Sequence, residues 1–185
     1  MEALHRTYCL DTDRLFASGK SQGGGLIGNI LACDNTLSTT IAAFAPVSGA
    51  FYTDAHPCEA PFEFQIPCSP GRHNVPMIEF HGGKDEIARY EGDQRRGQCL
   101  PHIPWWVESW AVNDELSTDA ETEQLADDTP NTTITRYGGG LVSHVFDAVI
   151  GHDWPATTEN TDNEGDVAEF DATPIIIEFF DAHPL

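Results

Sequence analysis

The apolar residues of this chain fall into two patterns, short runs and longer stretches at helical spacing. Short runs within 14–18, 41–45 and 76–80 predict strands, and the run at 41–45 is apolar throughout, as expected of a strand buried on both faces. Residues 132–137 and 141–146 predict two further strands, joined through three glycines. These segments together predict a sheet.

Helices are predicted between and after these strands. Residues 22–32 and 103–112 carry apolar side chains at helical spacing. Near the chain end, Thr173 is expected to cap a helix that has Pro174 at its first position. The alternation of strands and helices predicts an α/β fold, a mainly parallel sheet covered on both sides. Two polar segments are interpreted as loops: 52–75 and 113–130.

The composition narrows the class of protein. The chain has 185 residues, enough for one domain with a real core, and 30 Asp and Glu against 9 Lys and Arg give a net charge of −21. Such a surface repels phosphate backbones and anionic lipid headgroups, so nucleic-acid or membrane-surface binding is not expected. No stretch reaches the ~18 apolar residues of a membrane helix.

The cysteines indicate an oxidising compartment. The chain has five cysteines, and no two of them form a CxxC motif, so a zinc ribbon or thioredoxin-type site is not indicated. Scattered cysteines in an acidic chain favour disulfides. An odd number leaves one without a partner in this chain. A glycosylation sequon at Asn131 agrees with secretion. The cysteines are Cys9, Cys33, Cys58, Cys68 and Cys99.

The segment GKSQG, residues 19–23, carries the first candidate chemistry. Its Gly-x-Ser-x-Gly pattern lies between a predicted strand and a predicted helix, which is the setting of a nucleophile elbow. Ser21 is therefore predicted as a nucleophile on a strained turn, and the glycines on either side are expected to avoid clashes. The backbone N–H of Gln22 would supply one oxyanion donor.

A serine nucleophile needs a general base, and the base needs an orienting acid, in the chain order Ser, acid, His in an α/β-hydrolase. Asp85 is predicted as the acid, because it follows a short strand and a glycine turn at the carboxyl end of the sheet. Asp54 lies in a loop after the strand at 41–45, and Glu86 would need a different backbone direction.

His152 is predicted as the base because it lies in a loop after the last predicted strand. His144 lies within that strand, and His81 precedes the acid too closely to meet it easily. The other candidates fall before or between the other elements: His56, His73 and His102.

Several longer motifs resemble a known family when taken in order. They are GKSQGG with AAFAPVSGAFY, EFHGGKD with RRGQCLPHIPWWVESWA, and GHDWP with ATPIIIEFFDAHPL. Together they resemble the fungal feruloyl esterases, secreted α/β-hydrolases related to carbohydrate esterase family 1, from about residue 7 to the C-terminus. The resemblance implies the triad Ser21, Asp85 and His152, no cofactor, and extracellular release of ferulic acid and similar hydroxycinnamates from plant cell-wall polysaccharide.

The chain departs from this family in one respect. In the family, several strands and the loop with the second oxyanion donor precede the serine, whereas here the elbow begins at residue 19. The expectation is therefore a single partial α/β-hydrolase domain over 1–185 that lacks the upstream strands. Trp106 and Trp110 are expected in the core, and Trp105 and Trp154 are candidates for lining an aromatic acid pocket.

Other functions stay open at this point. An acetylxylan esterase or a polyhydroxyalkanoate depolymerase would use the same triad, since selectivity for the acyl group depends on pocket shape. A catalytically idle binding or interaction domain is a further alternative. A divalent-metal site is a third, built from His144, Asp147, His152 and Asp153.

Overall fold

The computed structural model describes residues 6–54, 66, 68–163 and 165–185, and its central element is a six-stranded sheet. The strands in chain order are β1 (Phe16–Lys20), β2 (Ala43–Val47), β3 (Met77–Gly82), β4 (Asp93–Arg95), β5 (Gln98–Leu100), β6 (Glu121–Gln124), β7 (Thr132–Tyr137) and β8 (Val142–Asp147). The sheet order is β1-β2-β3-β8-β7-β6, and β4 pairs with β5 in a separate antiparallel hairpin.

The first four strands of the sheet, β1, β2, β3 and β8, are parallel, and β7 and β6 add antiparallel pairs at one end. The helices are α1 (Gln22–Gly25), which continues as a π-helix (Leu26–Leu31), α2 (Ile103–Asn113) and α3 (Ala172–Ala182). The predicted α/β architecture is therefore confirmed. No helix among the described residues has the length and apolar character to cross a membrane.

Alternation along β2 divides the core into two layers. All five residues of β2 are buried, as its apolar run predicts. Phe44 faces a cluster with the π-helix and α2, in which Trp106 and Trp110 have no exposed surface, which confirms their predicted place in the core. Ala45 faces the second cluster, which includes Phe180 of α3. Because side chains alternate along a strand, one sheet separates the two layers.

The predicted start of the last helix is corrected. Helix α3 begins at Ala172, and Asp171 rather than Thr173 takes the extended conformation that precedes it. Pro174 therefore lies in the first turn instead of at the first position, which is tolerated because N–H groups there have no intrahelical acceptor. Thr173 accepts a hydrogen bond from Trp154 Nε1 at 3.0 Å.

Strands also occur in the segment 113–130, interpreted from its sequence as a loop, and in residues 93–100, for which no element is predicted. The segment 113–130 contains β6, whose four residues are all exposed, so it has no apolar alternation to signal a strand. The β4–β5 hairpin turns at Arg96 and Gly97, with φ of 53° and 78°, a conformation typical of tight hairpin turns.

The cysteines are disulfide-bonded with one exception among those described. Cys33 is bonded to Cys68, Cys99 is also disulfide-bonded, and Cys9 is exposed and free. The free thiol at Cys9 agrees with the prediction of an unpaired cysteine. Cys58 and most of the predicted surface segment 52–75 lie outside the described residues.

Candidate active site

Ser21 lies on a strained turn between β1 and α1. Its φ is 57° and its ψ is −119°, an unusual conformation for a residue other than glycine. The turn is held by its backbone, because Ser21 N donates to Val47 O at 3.0 Å and Ser21 O accepts from Gly25 N and Ala50 N at 2.9 Å. This is the strand–turn–helix geometry of a nucleophile elbow.

The glycines around Ser21 have different roles. A Cβ on Gly19 would come within 2.9 Å of the backbone of Gly23, and a Cβ on Gly25 within 2.1 Å of Ala50 O. A Cβ on Gly23 would meet nothing within 4 Å. The expectation that both flanking glycines avoid clashes therefore holds for Gly19 and is wrong for Gly23, since the side-chain direction at Gly23 is open.

Asp85 is fixed in the turn after β3. One carboxylate oxygen, Oδ1, accepts from Ile87 N and Ala88 N, each at 2.7 Å, and Oδ2 lies 2.7 Å from His152 Nδ1. Burial opposes the charged form, but contacts with His152 and His81 and their positive charge hold the pKa of Asp85 well below its usual range. The carboxylate therefore stays ionised in the folded protein.

His152 lies in the loop after β8, with 17% of its side chain exposed. Contact of its Nδ1 with Asp85 leaves Nε2 available to accept a proton. The loop is anchored beside Ser21: Ser48 Oγ donates to Asp153 O at 2.9 Å, and Lys20 pairs with Asp162. In the described part of the chain no hydrogen bond joins Ser21 to His152, and such bonds often form only with substrate present.

Ser21 lines one of two adjoining pockets. One has a volume of about 250 Å³ and is lined by Ser21, Gln22, Tyr52 and Ile87 among others. The second, of about 320 Å³, shares Gln22 and Tyr52 and adds apolar side chains at its wall, Leu26 and Ile30. Leu26 and Ile30 are 50% and 57% exposed and give the second pocket an apolar wall. The pocket at Ser21 is also lined by Lys20, Arg95 and Arg96.

The other predicted site residues are placed as follows. Gln22 is the first residue of α1, where a backbone N–H has no intrahelical acceptor and can meet an oxyanion. Trp105 packs against the cluster of α2, and Trp154 against the cluster of α3. Neither tryptophan lines the two pockets beside Ser21, and their part in substrate binding stays a prediction.

The alternatives to Asp85 and His152 lie elsewhere. Asp54 is exposed and accepts from Gln98 Nε2 at 3.0 Å, and Glu86 is exposed. His73 is exposed and His102 lies 3.1 Å from Glu91, while His56 is outside the described residues.

His81 and His144 make contacts with buried carboxylates that the sequence did not predict. His81 Nε2 lies 3.3 Å from Asp85 Oδ2, so the expectation that it cannot easily meet the acid is wrong. The turn folds back within four residues, which allows the contact. His144 Nδ1 lies 2.8 Å from Glu79 Oε2. The signal for Glu79 and His81 is their spacing of two on a strand, which places both side chains on one face.

The metal-binding alternative finds no support in the side-chain arrangement. His144 contacts Glu79 and His152 contacts Asp85, and the described residues contain no cluster of three or more His, Cys, Asp or Glu side chains arranged to hold a metal ion.

Comparison with known proteins agrees with this fold. No family model matches the chain. A bifunctional acetylxylan esterase/xylanase from Neocallimastix patriciarum is 24% identical over 159 residues, which cover 82% of this chain and 20% of that protein. The structure of an acetyl xylan esterase from Aspergillus awamori matches with a TM-score of 0.58 and 18% identity, over 96% of this chain and 63% of that chain.

The chain thus spans about a fifth of the first relative and less than two thirds of the second. A likeness at these identities establishes the fold. The mostly parallel sheet, flanked by helices and carrying Ser21 on its elbow, is an α/β-hydrolase-like fold.

Proposed function

We propose that this chain is a serine hydrolase of carboxylic esters, with Ser21 as nucleophile, His152 as general base and Asp85 as the orienting acid. The observation that carries the proposal is the 2.7 Å contact between His152 Nδ1 and Asp85 Oδ2. It is supported by the strained elbow at Ser21, which lies at the same edge of the sheet.

In the first half of the reaction, Ser21 Oγ bonds to the ester carbonyl carbon while His152 Nε2 takes the hydroxyl proton. The carbonyl electron pair moves to oxygen, and the backbone N–H of Gln22 donates to that oxyanion. Asp85 holds the imidazole in orientation and stabilises its positive charge.

In the second half, the bond from carbon to the leaving alcohol breaks and His152 gives its proton to the alcohol oxygen. The acyl group remains on Ser21. Water then attacks with His152 again as base, which releases the carboxylic acid and restores the serine hydroxyl. The complete reaction consumes one ester bond and one water molecule and needs no other reactant.

We further propose plant cell-wall polysaccharide bearing hydroxycinnamoyl groups, with ferulate foremost, as the substrate. The motifs in sequence support this choice, and so does the pocket that adjoins the one at Ser21, because its wall of Tyr52, Leu26 and Ile30 suits an aromatic acyl group. An extracellular location is part of the proposal, and the Cys33–Cys68 disulfide favours it because such bonds persist in oxidising compartments.

A second candidate is acetylated xylan. Both relatives reported above are described as acetylxylan esterases, and the same triad would serve. Rates of release from methyl ferulate and from acetylated xylan distinguish the two substrates. A kcat/KM for the acetyl substrate well above that for methyl ferulate would favour the second candidate.

The serine mechanism is tested with Ser21→Ala, for which we expect a loss of esterase activity of at least about 10⁴-fold. Covalent labelling by a fluorophosphonate should disappear in the same variant. Ser18→Ala is the matched control, because Ser18 lies on β1 and its hydroxyl donates to Ala45 O at 2.9 Å. Retention of activity in Ser21→Ala would contradict the mechanism.

The assignment of the base is tested separately. His152→Ala should be nearly as severe as Ser21→Ala, because a hydroxyl without a base is a poor nucleophile at neutral pH. If a folded His144→Ala variant lost more activity than His152→Ala, His152 would not be the base.

A further inference from the structure

A buried group of titratable side chains lies behind Asp85, and the mechanism above uses none of them. Glu79 and His81 are two residues apart on β3, so their side chains project from the same face of the sheet. His144 on β8 is the register partner of Glu79. The side chains of Glu79 and His81 are fully buried, and that of His144 is 5% exposed.

The contacts of His81 require a charged imidazole. Its Nδ1 lies 2.8 Å from Glu79 Oε1, and its Nε2 lies 2.6 Å from Ala88 O. A carbonyl and a carboxylate both accept hydrogen bonds, so both ring nitrogens of His81 carry protons. Burial opposes this charge, but the negative charge of Glu79 and contacts with Asp85 raise the pKa of His81 to about 10.

The second carboxylate oxygen of Glu79 faces His144. His144 Nδ1 is 2.8 Å from Glu79 Oε2. Tyr90 OH lies 3.2 Å from His144 Nε2. Glu79 thus contacts both histidines, and His144 and Tyr90 form the end of the group that does not touch Asp85.

His81 acts on Asp85 in two ways. Its Nε2 is 3.3 Å from Asp85 Oδ2, the oxygen that also contacts His152. His81 also binds the carbonyl oxygen of Ala88, and the backbone N–H of the same residue donates to Asp85 Oδ1. One imidazolium thus contacts the carboxylate directly and tethers the turn that orients it.

We propose that His81 is a positioning residue for Asp85, and that Glu79 keeps it charged. The inference rests on the proposed function, because Asp85 must first be the acid of a serine hydrolase. The positive charge of His81 offsets part of the negative charge that Asp85 presents to His152. Without it, Asp85 would stabilise a protonated His152 more strongly, and the base would become available only at higher pH.

Other charged groups lie near the Asp85–His152 pair. Lys84, Glu86 and Arg89 line a cavity together with Asp85. Asp162 interacts electrostatically with His152, and Glu91 with Tyr90. None of these charged groups is changed in the experiment, so their effects are common to all variants.

The test follows the rate of fluorophosphonate labelling at Ser21 against pH, which needs no knowledge of the natural substrate. In His81→Gln we expect the acidic limb of the profile to move up by about 0.5–1 pH unit. The maximal rate should fall about 10- to 100-fold as the turn loses its tether. A purely structural role would lower thermal stability and leave the midpoint of the limb in place.

A double variant, Glu79→Gln with His81→Gln, guards against misfolding, because it replaces a charged pair by a neutral one and leaves no buried charge unpaired. Its limb should move in the same direction by a smaller amount, since the opposing charge of Glu79 is removed as well. Tyr90→Phe is the control and should not move the limb, because Tyr90 does not contact Asp85.

The two possible failures are distinguishable. Wild-type protein that is not labelled at Ser21 would overturn the serine mechanism and this inference with it. Labelled wild-type protein whose limb is unchanged in the double variant, or equally changed in Tyr90→Phe, would overturn the role of His81 alone.

Discussion

Asp114 is a buried carboxyl group outside the candidate site. Only 3% of the residue is exposed, Oδ2 accepts from Val75 N at 3.0 Å, and Oδ1 has no hydrogen bond in the described structure. Burial raises the pKa of Asp114 to about 6, against the opposing effects of Val75 N–H and the charge of Arg72. Because the folded pKa lies above the unfolded value, its ionisation lowers the stability of the fold as pH rises through about 6.

Asp114→Asn should therefore stabilise the protein at about pH 8 by roughly 1 kcal/mol, allowing for solvent screening. The gain should shrink as pH falls below about 6, where the wild-type carboxyl is protonated. Urea unfolding of wild type and variant at about pH 8 and at a pH below about 6 measures this gain in stability. Asp127→Asn is the control for loss of one surface charge, since Asp127 is exposed. A gain that is the same at both pH values would contradict this account.

At the scale of single residues, sequence order was enough to select Asp85 and His152, which the structure places in contact. The sequence did not reveal Glu79 as a partner of His81, because a glutamate within a strand is usually expected on a solvated face. Its burial depends on the neighbouring strand β8, which brings His144 beside it, and this pairing joins residues 65 positions apart.

At the scale of elements, the close approach of α1 to the segment after β2 makes a prediction about two glycines. In Gly25→Ala the added methyl group would lie 2.1 Å from Ala50 O, a backbone atom that cannot move without displacing the elbow. We expect a loss of stability of about 1–3 kcal/mol or more and a loss of activity. Thermal unfolding and esterase rates measure both.

Gly23→Ala is the matched control, because the same substitution two residues earlier meets nothing within 4 Å. It should be neutral or slightly stabilising, since alanine favours a helix over glycine by about 1 kcal/mol. If both variants were equally damaging, the pattern of glycines would reflect a requirement other than packing.

The elements themselves were predictable where burial imposes a pattern. The apolar run at 41–45 located β2 to within two residues, because a strand covered on both faces must be apolar throughout. Strand β6 was missed because all four of its residues are exposed and polar. Its place in the sheet comes from pairing with β7, a tertiary contact that no local pattern encodes.

At the scale of the whole molecule, the net charge of −21 is the dominant feature. Lys and Arg side chains form surface ion pairs such as Arg14–Asp181 and Arg136–Glu123, but 9 cations cannot balance 30 acids. The excess charge repels itself and favours expanded states, so it lowers stability at neutral pH. Because these charges are exposed, dissolved salt screens them within about 10 Å at 0.1 M.

Thermal stability should therefore rise with salt at neutral pH. Between about 0.05 and about 0.5 M sodium chloride at about pH 7.5, we expect Tm to increase by about 2–4 °C, the size of a change near 1 kcal/mol in a chain of this length. The control is the same titration near the isoelectric point of about 4.4, where the repulsion is small and the increase should vanish. An equal increase at both pH values would point to a salt effect on apolar burial and contradict the electrostatic explanation.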